Sequence, residues 1–287
     1  MRRIKTIFMT LVALVMAGCT SSEVPNPADM DSADTRAIGT DFRKIGALHN
    51  EALDFAASYL AEHPTCKVGD FENNLPLQTF HIRLTSFMEM NTPEVIGCTA
   101  SQVKISMDDA KYMWDTPEDA DLLQPIIING SSFELSGVET CIDQVEALKV
   151  LTEKEILFLH RIAELTDLDN GQMPSNAVVE ERLNSLVAEW EAEYGKKGYI
   201  GLGDSMTISG IPLSVAVSSF QWWTDYYSGL ENGQQRLAPL LAYVLGKDAK
   251  GALSGILLSL LNGNRDLKTI ALDGLKVGVI HSILCLL

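Results

Sequence analysis

Apolar residues recur every three or four positions along much of this chain, and this spacing limits the folds open to it. Between residues 34 and 63 it is clearest, and it predicts one long helix with a single apolar face. The residues that form this face are Ile38, Phe42, Ile45, Leu48, Ala52, Phe55 and Tyr59. Only the Val/Ile-rich segment 125–130 suggests a strand. We therefore predict an all-α fold, a multi-helix bundle.

Local signals predict where several helices begin and end. The first helix should end at His63, because a residue that precedes proline is disfavoured in the α region. A second helix should span about 77–90 and stop at Asn91-Thr92-Pro93. Thr152 and Glu155 have capping-box spacing, which predicts a helix from there to about residue 166.

Five more segments of the chain complete the predicted bundle. A short helix is expected at about 107–114 and a longer one at about 179–194. A long apolar segment follows at 211–227, after a glycine-punctuated stretch. The chain should end in two helices, at about 248–261 and 266–286, joined by Asn262-Gly263-Asn264.

These last two helices form a glycine-containing hairpin. Each carries a Gly-x-x-x-Gly pair, one at Gly251 and Gly255 and the other at Gly274 and Gly278. This spacing allows helix backbones to approach closely in membranes or in soluble cores. Charged and polar residues such as Asp273 would be costly in lipid. We expect a hairpin packed within the fold, and a membrane-perturbing hairpin is the alternative.

The N-terminus has the three zones of a secretory signal: basic residues, an apolar stretch from Ile7 to Met16, and small residues before Cys19. The segment Val15–Cys19 resembles the lipobox of bacterial lipoproteins, with Met16 where leucine is usual. This resemblance implies that Cys19 is acylated and becomes the new N-terminus. We therefore divide the chain into a signal peptide (1–18), a flexible tether (19–34) and an all-helical domain (35–287).

The charge balance excludes one class of partner and leaves another open. Acidic residues outnumber basic ones 38 to 22, and nucleic-acid binding requires the opposite excess. Two acyl chains anchor a protein stably without a basic patch, so the membrane is an expected partner. Thr20 is not the acidic residue that resembles an inner-membrane retention signal. We expect an exported protein anchored at the outer membrane or cell surface.

Exported proteins occupy compartments where disulfides persist. Apart from Cys19, the chain has Cys66, Cys98, Cys141 and Cys285. Cys285 lies in an apolar tail, which indicates a buried hydrophobic residue. We predict one disulfide among Cys66, Cys98 and Cys141, with Cys66–Cys98 slightly preferred. No cysteine pair has zinc-site spacing.

One segment resembles an enzyme motif. Gly203-Asp204-Ser205-Met206 is similar to the Gly-Asp-Ser-Leu block of serine esterases, in which the serine is the nucleophile. That family also needs a late Asp-x-x-His pair, but Gly278 stands three positions before His281. We therefore favour a glycine-rich loop with Asp204 or Ser205 as a helix N-cap, and a hydrolase that uses Ser205 is the alternative.

The histidines and acidic loops do not predict a cofactor or a metal. His49 shares a helical face with Leu53 and Ala56, which favours a histidine hydrogen-bonded near the core. No His-x-x-x-His or Glu-x-x-His pair is present. The acidic loop 167–171 lacks the glycine position and the late glutamate of a calcium loop.

Three short motifs carry a further resemblance. They are His49-Asn50 with Leu53-Asp54, Val217-Ser218-Ser219-x-x-Trp222-Trp223, and Asp248-Ala249-x-Gly251-Ala252-x-x-Gly255. In this order they resemble a broad set of uncharacterised bacterial proteins, many of them exported. The resemblance implies an all-helical domain that ends in a Gly/Ala-rich hairpin, and it implies no activity. We expect a binding or interaction protein, with a protein or small-molecule partner still to be identified, rather than an enzyme.

Overall fold

The prediction of an all-α bundle is confirmed by a computed structural model of the chain. The structure describes residues 40–114, 126–128, 131–133, 137–167, 172–194, 199–200, 207–229 and 237–287. Its helices, in chain order, are α1 (Phe42–Glu62), α2 (Leu75–Ile96), α3 (Ala100–Val103), α4 (Met107–Trp114), α5 (Val138–Ala147), α6 (Glu153–Ala163), α7 (Asn176–Tyr194), α8 (Gly210–Ser228), α9 (Leu237–Leu261) and α10 (Leu267–Leu284).

Two short antiparallel strand pairs accompany the helices. Strand β1 (Thr40–Asp41) pairs with β4 (Tyr199–Ile200), so the residues just before α1 meet a strand that comes between α7 and α8 in sequence. Strands β2 (Ile126–Ile128) and β3 (Ser131–Phe133) pair with each other, with Ile128 opposite Ser131. The strand predicted at 125–130 is therefore present, and it pairs with its immediate neighbour.

The hairpin of α9 and α10 lies at the centre of the described residues. Helix α9 packs along α10 and also against α8, α5 and α6. Helix α1 packs against α8, α2 and α10. The hairpin is buried because its residues are apolar or small on nearly every side, as expected for a core helix.

Two predicted helix boundaries are wrong. Helix α9 begins at Leu237 and not near residue 248. Helix α2 does not stop before Pro93 but continues through it to Ile96, where Gly97 ends the helix in the left-handed conformation. Pro93 removes one backbone donor from the helix. The last turn nevertheless places Ile96 fully in the core, and burial of one such side chain is worth about 1.5–3 kcal/mol. Tertiary packing thus outweighs the local stop signal.

The capping box predicted at α6 is formed only in part. The Thr152 hydroxyl accepts a hydrogen bond from the Glu155 backbone N–H at 3.2 Å. The Glu155 side chain does not return to Thr152, because its carboxylate bonds to the N-terminus of α8 instead. A complete capping box occurs at Thr99 and Gln102, at the start of α3.

Candidate functional site

A cluster of polar side chains lies in the middle of the core, where four helices meet. We call it the Asp248 cluster. Its members come from α1, α8, α9 and α10, and each is fully buried. They are His49, Ser219, Trp223, Asp248 and Ser282. Buried polar groups of this kind are costly unless they bond to one another, so their contacts determine what the cluster can do.

Both oxygens of the Asp248 carboxylate accept hydrogen bonds. Oδ2 accepts from the Ser219 hydroxyl and from the Trp223 indole N–H at 2.6 Å. Oδ1 accepts from the Ser282 hydroxyl at 2.5 Å. Among the described residues these donors are all neutral groups, so Asp248 is held by hydrogen bonds and not by an ion pair.

His49 joins the cluster through Ser282. Its Nε2 lies 2.8 Å from the Ser282 hydroxyl oxygen. Its Nδ1 faces the Asn50 side-chain oxygen at 3.3 Å. Because Ser282 also contacts Asp248, the hydroxyl connects an imidazole on α1 to a carboxyl group on α9. The expectation of a hydrogen-bonded core histidine at position 49 is met.

The approach of α1 to α8 depends on small side chains. The Gly46 backbone N–H donates to the Ser214 hydroxyl at 2.8 Å. A Cβ at Gly46 would lie 2.3 Å from the Ser218 hydroxyl and 2.4 Å from the Ser214 carbonyl oxygen. The Asn50 amide donates to the Ser218 carbonyl oxygen at 2.8 Å. Glycine at position 46 therefore brings the polar side chains of the two helices within hydrogen-bond distance.

The three motifs of the resemblance described above meet at this one place. Trp222 donates to Asp54 at 2.8 Å, while His49 and Asn50 contact Ser282 and Ser218. The motif that begins at Asp248 supplies the central carboxylate. Segments about 200 positions apart in sequence thus meet at the Asp248 cluster, and Ser282 completes its buried network. The Trp222–Asp54 bond lies outside this network, at the exposed surface. Sequence reasoning assigned no role to Ser282.

Burial shifts the pKa values of these groups in opposite directions. It raises the pKa of the Asp248 carboxyl to about 7, although the hydrogen bonds from Ser219, Ser282 and Trp223 act to lower it. It lowers the pKa of His49 to about 4. The pKa of His281 is lowered to about 3 for the same reason. Desolvation disfavours the charged form of each group, so a neutral histidine is favoured at position 49.

The geometry of the cluster does not match that of a catalytic triad. In a triad the base takes the proton of a reactive hydroxyl, whereas the Ser282 hydroxyl here donates to a carboxylate. His49, Ser219, Asp248 and Ser282 also have no exposed surface, so a substrate has no access to them. The network is arranged to hold helices together.

A second buried acid, Glu155, was not anticipated as a core residue. Its Oε2 accepts from the backbone N–H groups of Ile208 and Ser209 at 2.7 and 2.8 Å. Its Oε1 accepts from the Ser209 hydroxyl at 2.8 Å. Trp190 donates to the same hydroxyl at 2.8 Å. A carboxylate at a helix N-terminus is stabilised by unpaired N–H groups, and Glu155 thus connects α6 to the start of α8.

The glycines of the C-terminal hairpin lie at the helix contact, as predicted. A Cβ at Gly255 would lie 2.3 Å from the Asp273 carbonyl oxygen. At Gly278 it would lie 3.2 Å from the Ala252 Cβ, and at Gly251 it would lie 3.0 Å from the His281 Cβ. None of the helices in the described segments combines the length and apolar character needed to cross a bilayer.

Several predicted positions lie outside the described residues. These are the lipidation site Cys19, the signal peptide and tether, the serine Ser205, and most of the acidic loop 167–171. Within the described part of the chain, no three His, Cys, Asp or Glu side chains are grouped so as to hold a metal ion.

The predicted disulfide is not formed in the structure. Cys66, Cys98 and Cys141 are free thiols, as is Cys285. Cys66 follows α1, Cys98 follows α2 and Cys141 lies within α5, so the three belong to different elements. Burial raises the pKa of Cys66 to about 11, which makes its thiol a poor nucleophile at neutral pH.

One open cleft, of about 540 Å³, lies between the end of α6 and α7. Charged side chains line it, including Arg161, Asp167 and Arg182. Arg161 is bound to Glu189, with one contact at 3.0 Å, and Arg182 donates to the Leu165 carbonyl oxygen at 3.2 Å. The arginines of the cleft therefore already serve acceptors of the protein itself.

Comparison with known proteins gave no match: no family model, no curated protein and no solved structure resembles the chain closely enough to be assigned.

Proposed function

We propose that this protein is a lipid-anchored component of the bacterial envelope whose helical domain binds a protein partner. The observation that carries the first half is the N-terminal order of basic residues, apolar residues, small residues and Cys19. The observations that support the second half concern the described helices. They argue against a catalytic site in the core, and they identify an exposed apolar surface that a partner can cover.

The burial of the Asp248 cluster favours binding over catalysis. Its imidazole, hydroxyl and carboxyl groups are the strongest candidates for chemistry among the described residues, and they are sealed from solvent. A catalytic group must lie within hydrogen-bond reach of its substrate. The cluster therefore supports a structural role in a protein that works through its surface.

Helix α2 offers such a surface. Its outer face carries three large apolar side chains: Leu75, Ile82 and Met90, which are 70%, 55% and 74% exposed. Thr79 and Ser86 lie between them, and their hydroxyls donate to the Leu75 and Ile82 carbonyl oxygens at 2.8 and 2.9 Å. We call these five residues the α2 stripe.

The α2 stripe has the chemistry of a protein contact. It carries no charged side chain, and both of its hydroxyls are already bonded within the helix. Covering it therefore costs little polar desolvation. Clustered exposed apolar residues mark interaction sites more often than isolated ones. The partner that fits is a protein with an apolar helix face or groove.

The anchor half of the proposal is tested by metabolic labelling. Cells are fed a fatty acid that carries an alkyne, and the protein is isolated and coupled to a fluorophore. We expect wild-type protein to be labelled and to enter the detergent phase. The Cys19→Ala variant should remain unlabelled and stay in the aqueous phase. An unlabelled wild-type protein would contradict the anchor.

The binding half is tested by photo-cross-linking in intact cells. A benzophenone amino acid is placed at Ile82 or, as a matched control, at Leu157. Leu157 is 56% exposed but lies on α6, away from the α2 stripe. We expect a discrete protein adduct at position 82 that is absent at position 157. Adding Ser86→Glu, which places a charge in the stripe, should abolish the adduct. Equal patterns at the two positions would contradict this surface.

A further inference from the structure

We propose that His49, Ser282 and Asp248 form one proton-sharing unit, in which a proton gained by the carboxyl group on α9 reverses the hydrogen bonds that connect it to α1. The cluster is then a pH-sensitive element of the core. This inference is independent of the proposed binding function, since it concerns only the four helices that meet at Asp248.

The first step is to find which oxygen of Asp248 can take a proton. Oδ2 accepts from Ser219 and from the Trp223 indole. An indole N–H can only donate, so Oδ2 must remain an acceptor. Oδ1 faces Ser282, whose hydroxyl can either donate or accept. A proton on Asp248 therefore belongs on Oδ1, in the contact with Ser282.

With Asp248 ionised, the directions of the bonds are determined. The Ser282 hydroxyl donates its single proton to Oδ1. The His49 Nε2, which lies 2.8 Å from the same hydroxyl oxygen, must then carry a hydrogen and donate to it. In this state His49 Nδ1 has no proton. It faces the Asn50 oxygen at 3.3 Å, and two acceptors in contact are unfavourable.

Uptake of one proton relieves that contact. The proton binds at His49 Nδ1, beside the half-buried Asn50. The hydrogen on Nε2 passes to the Ser282 oxygen, and the former hydroxyl hydrogen of Ser282 passes to Asp248 Oδ1. The unit gains one proton in total, and the imidazole and the carboxyl group both end neutral. Nδ1–H now donates to Asn50, and both bonds through Ser282 have reversed.

A competing arrangement leaves the imidazole unchanged. Ser282 also lies 2.9 Å from the Gly278 carbonyl oxygen, so a protonated Asp248 could donate to Ser282 while Ser282 donates to Gly278. Nε2–H would then stay in place. The Gly278 carbonyl oxygen also accepts from the His49 imidazole, and this bond favours the competing arrangement. The contact of Nδ1 with Asn50 favours the reversal, because only the reversal gives Nδ1 a hydrogen to donate.

The groups that face the unit leave Asp248 as the one that titrates near neutral pH. They are Tyr227 from α8, Lys247 on α9 and Cys285 from α10, in addition to His49 from α1. Burial raises the pKa of Cys285 to about 12 and raises that of Tyr227, so both stay protonated. Burial raises the pKa of Asp248 to about 7, and it outweighs the positive charge of Lys247, which acts to lower that pKa.

The test is the tautomer of His49, read from long-range ¹H–¹⁵N spectra of protein labelled at histidine nitrogens. Signals are assigned by their loss in His49→Gln. We expect Nδ1–H below the transition and Nε2–H above it, with a midpoint near pH 7. His81 is an internal control: its Nδ1 accepts from Trp114 at 3.2 Å, so it should remain Nε2–H throughout.

Two variants separate the reversal from its alternative. Asp248→Asn places an amide donor towards Ser282 at every pH, so His49 should stay Nδ1–H from pH 5 to 9. Ser282→Ala removes the connecting hydroxyl, and the tautomer should no longer follow Asp248. Ser254→Ala is the matched control, because Ser254 is buried and, within the described segments, its hydroxyl donates to the Lys250 carbonyl oxygen alone, at 2.6 Å. A wild-type His49 that keeps one tautomer from pH 5 to 9, or a switch that survives Ser282→Ala, overturns the proposal.

Discussion

Gly255 on α9 lies directly against the backbone of Asp273 on α10, so close that a Cβ at position 255 would stand 2.3 Å from the Asp273 carbonyl oxygen. A Cβ added at Gly278 would lie 3.2 Å from its nearest neighbour, the Ala252 Cβ. The two glycines thus differ in how much room a methyl group would find. The first contact lies far inside van der Waals distance of the backbone, whereas the second needs a movement of only a few tenths of an ångström.

We expect this difference to appear in stability. Gly255→Ala should lower the free energy of unfolding by about 1–3 kcal/mol, the usual cost of overpacking. Gly278→Ala should change it by less than about 1 kcal/mol, because alanine gains helix propensity that offsets the tighter contact. Urea denaturation of both variants measures the two values. Equal losses would show that the hairpin does not pack as described.

The leucine variants distinguish the packed hairpin from a membrane-active one. Gly255→Leu and Gly278→Leu should both unfold more easily than wild-type protein, and neither should alter leakage from liposomes. A melting temperature that stays constant while leakage changes would favour the membrane-perturbing alternative.

The second prediction concerns Asp248 and pH. Its pKa is raised from 3.8 to about 7, so the folded state binds this proton more tightly than the unfolded state does. Asp248 therefore stabilises the fold least when ionised, and stability is lost as pH rises from about 4 to 7. The free energy of unfolding of Asp248→Asn minus that of wild-type protein should therefore increase by about 4 kcal/mol between pH 4 and 7. Above pH 7 this difference should stay constant.

The difference between the two proteins is the quantity to measure, because the histidines act in the opposite direction. The pKa values of His49 and His281 are lowered to about 4 and about 3. Each contributes stability that is lost as pH falls below 6.5. Chemical denaturation at half-unit steps from pH 4 to 8 isolates the Asp248 contribution. A difference that does not vary with pH would show that Asp248 titrates normally.

The third prediction concerns Glu155, which accepts three hydrogen bonds from Ile208 and Ser209. Glu155→Ala leaves buried N–H groups without an acceptor and should lower the free energy of unfolding by about 2–5 kcal/mol. Glu155→Gln keeps one oxygen for the two backbone donors and should cost about 1 kcal/mol. Thermal denaturation compares them. If Glu155→Gln is as harmful as Glu155→Ala, the charge itself is required.

The fourth prediction concerns the thiols. In a Cys19→Ala chain, alkylation after unfolding without reductant should modify all four remaining cysteines, which mass spectrometry counts directly. Only two would react if the disulfide expected from the sequence formed in the cell. In the folded protein Cys66 should react slowly, because its pKa is about 11 and the thiolate is the reactive form.

The features that sequence predicted well are those set by neighbouring residues. Spacing of apolar positions identified α1, α7 and α10, and the Thr152 cap lies where expected. It identified only the C-terminal part of α9, because residues 237–247 were not predicted as helix. The predicted end of α2 was wrong because the helix is extended by the burial of Ile96, which depends on tertiary packing. The predicted bond from the Glu155 side chain back to Thr152 was wrong for the same reason. A glutamate can complete a capping box or accept hydrogen bonds from a distant segment, and the sequence pattern is the same in both cases.

The Asp248 cluster could not be assembled from sequence, because its contacts span great distances along the chain. His49 and Ser282 are separated by 233 positions, and no local pattern relates them. One signal was present: Asp248 is a single carboxylate within a helix made largely of Leu, Ala and Gly. A charged residue in such a helix needs a partner, but the partner's identity emerges only when the helices are packed.

The Asp248 cluster also determines that the central helices pack in one way. A hairpin built from leucine, alanine and glycine presents nearly the same apolar surface after sliding by one turn, about 5.4 Å. Such a slide would leave Asp248 opposite aliphatic groups and His49 without Ser282. Every displaced arrangement therefore carries an uncompensated charge, while the observed one carries none. A core with these buried polar groups is less stable than an all-aliphatic one. In return, only one alignment of the four helices satisfies their hydrogen bonds.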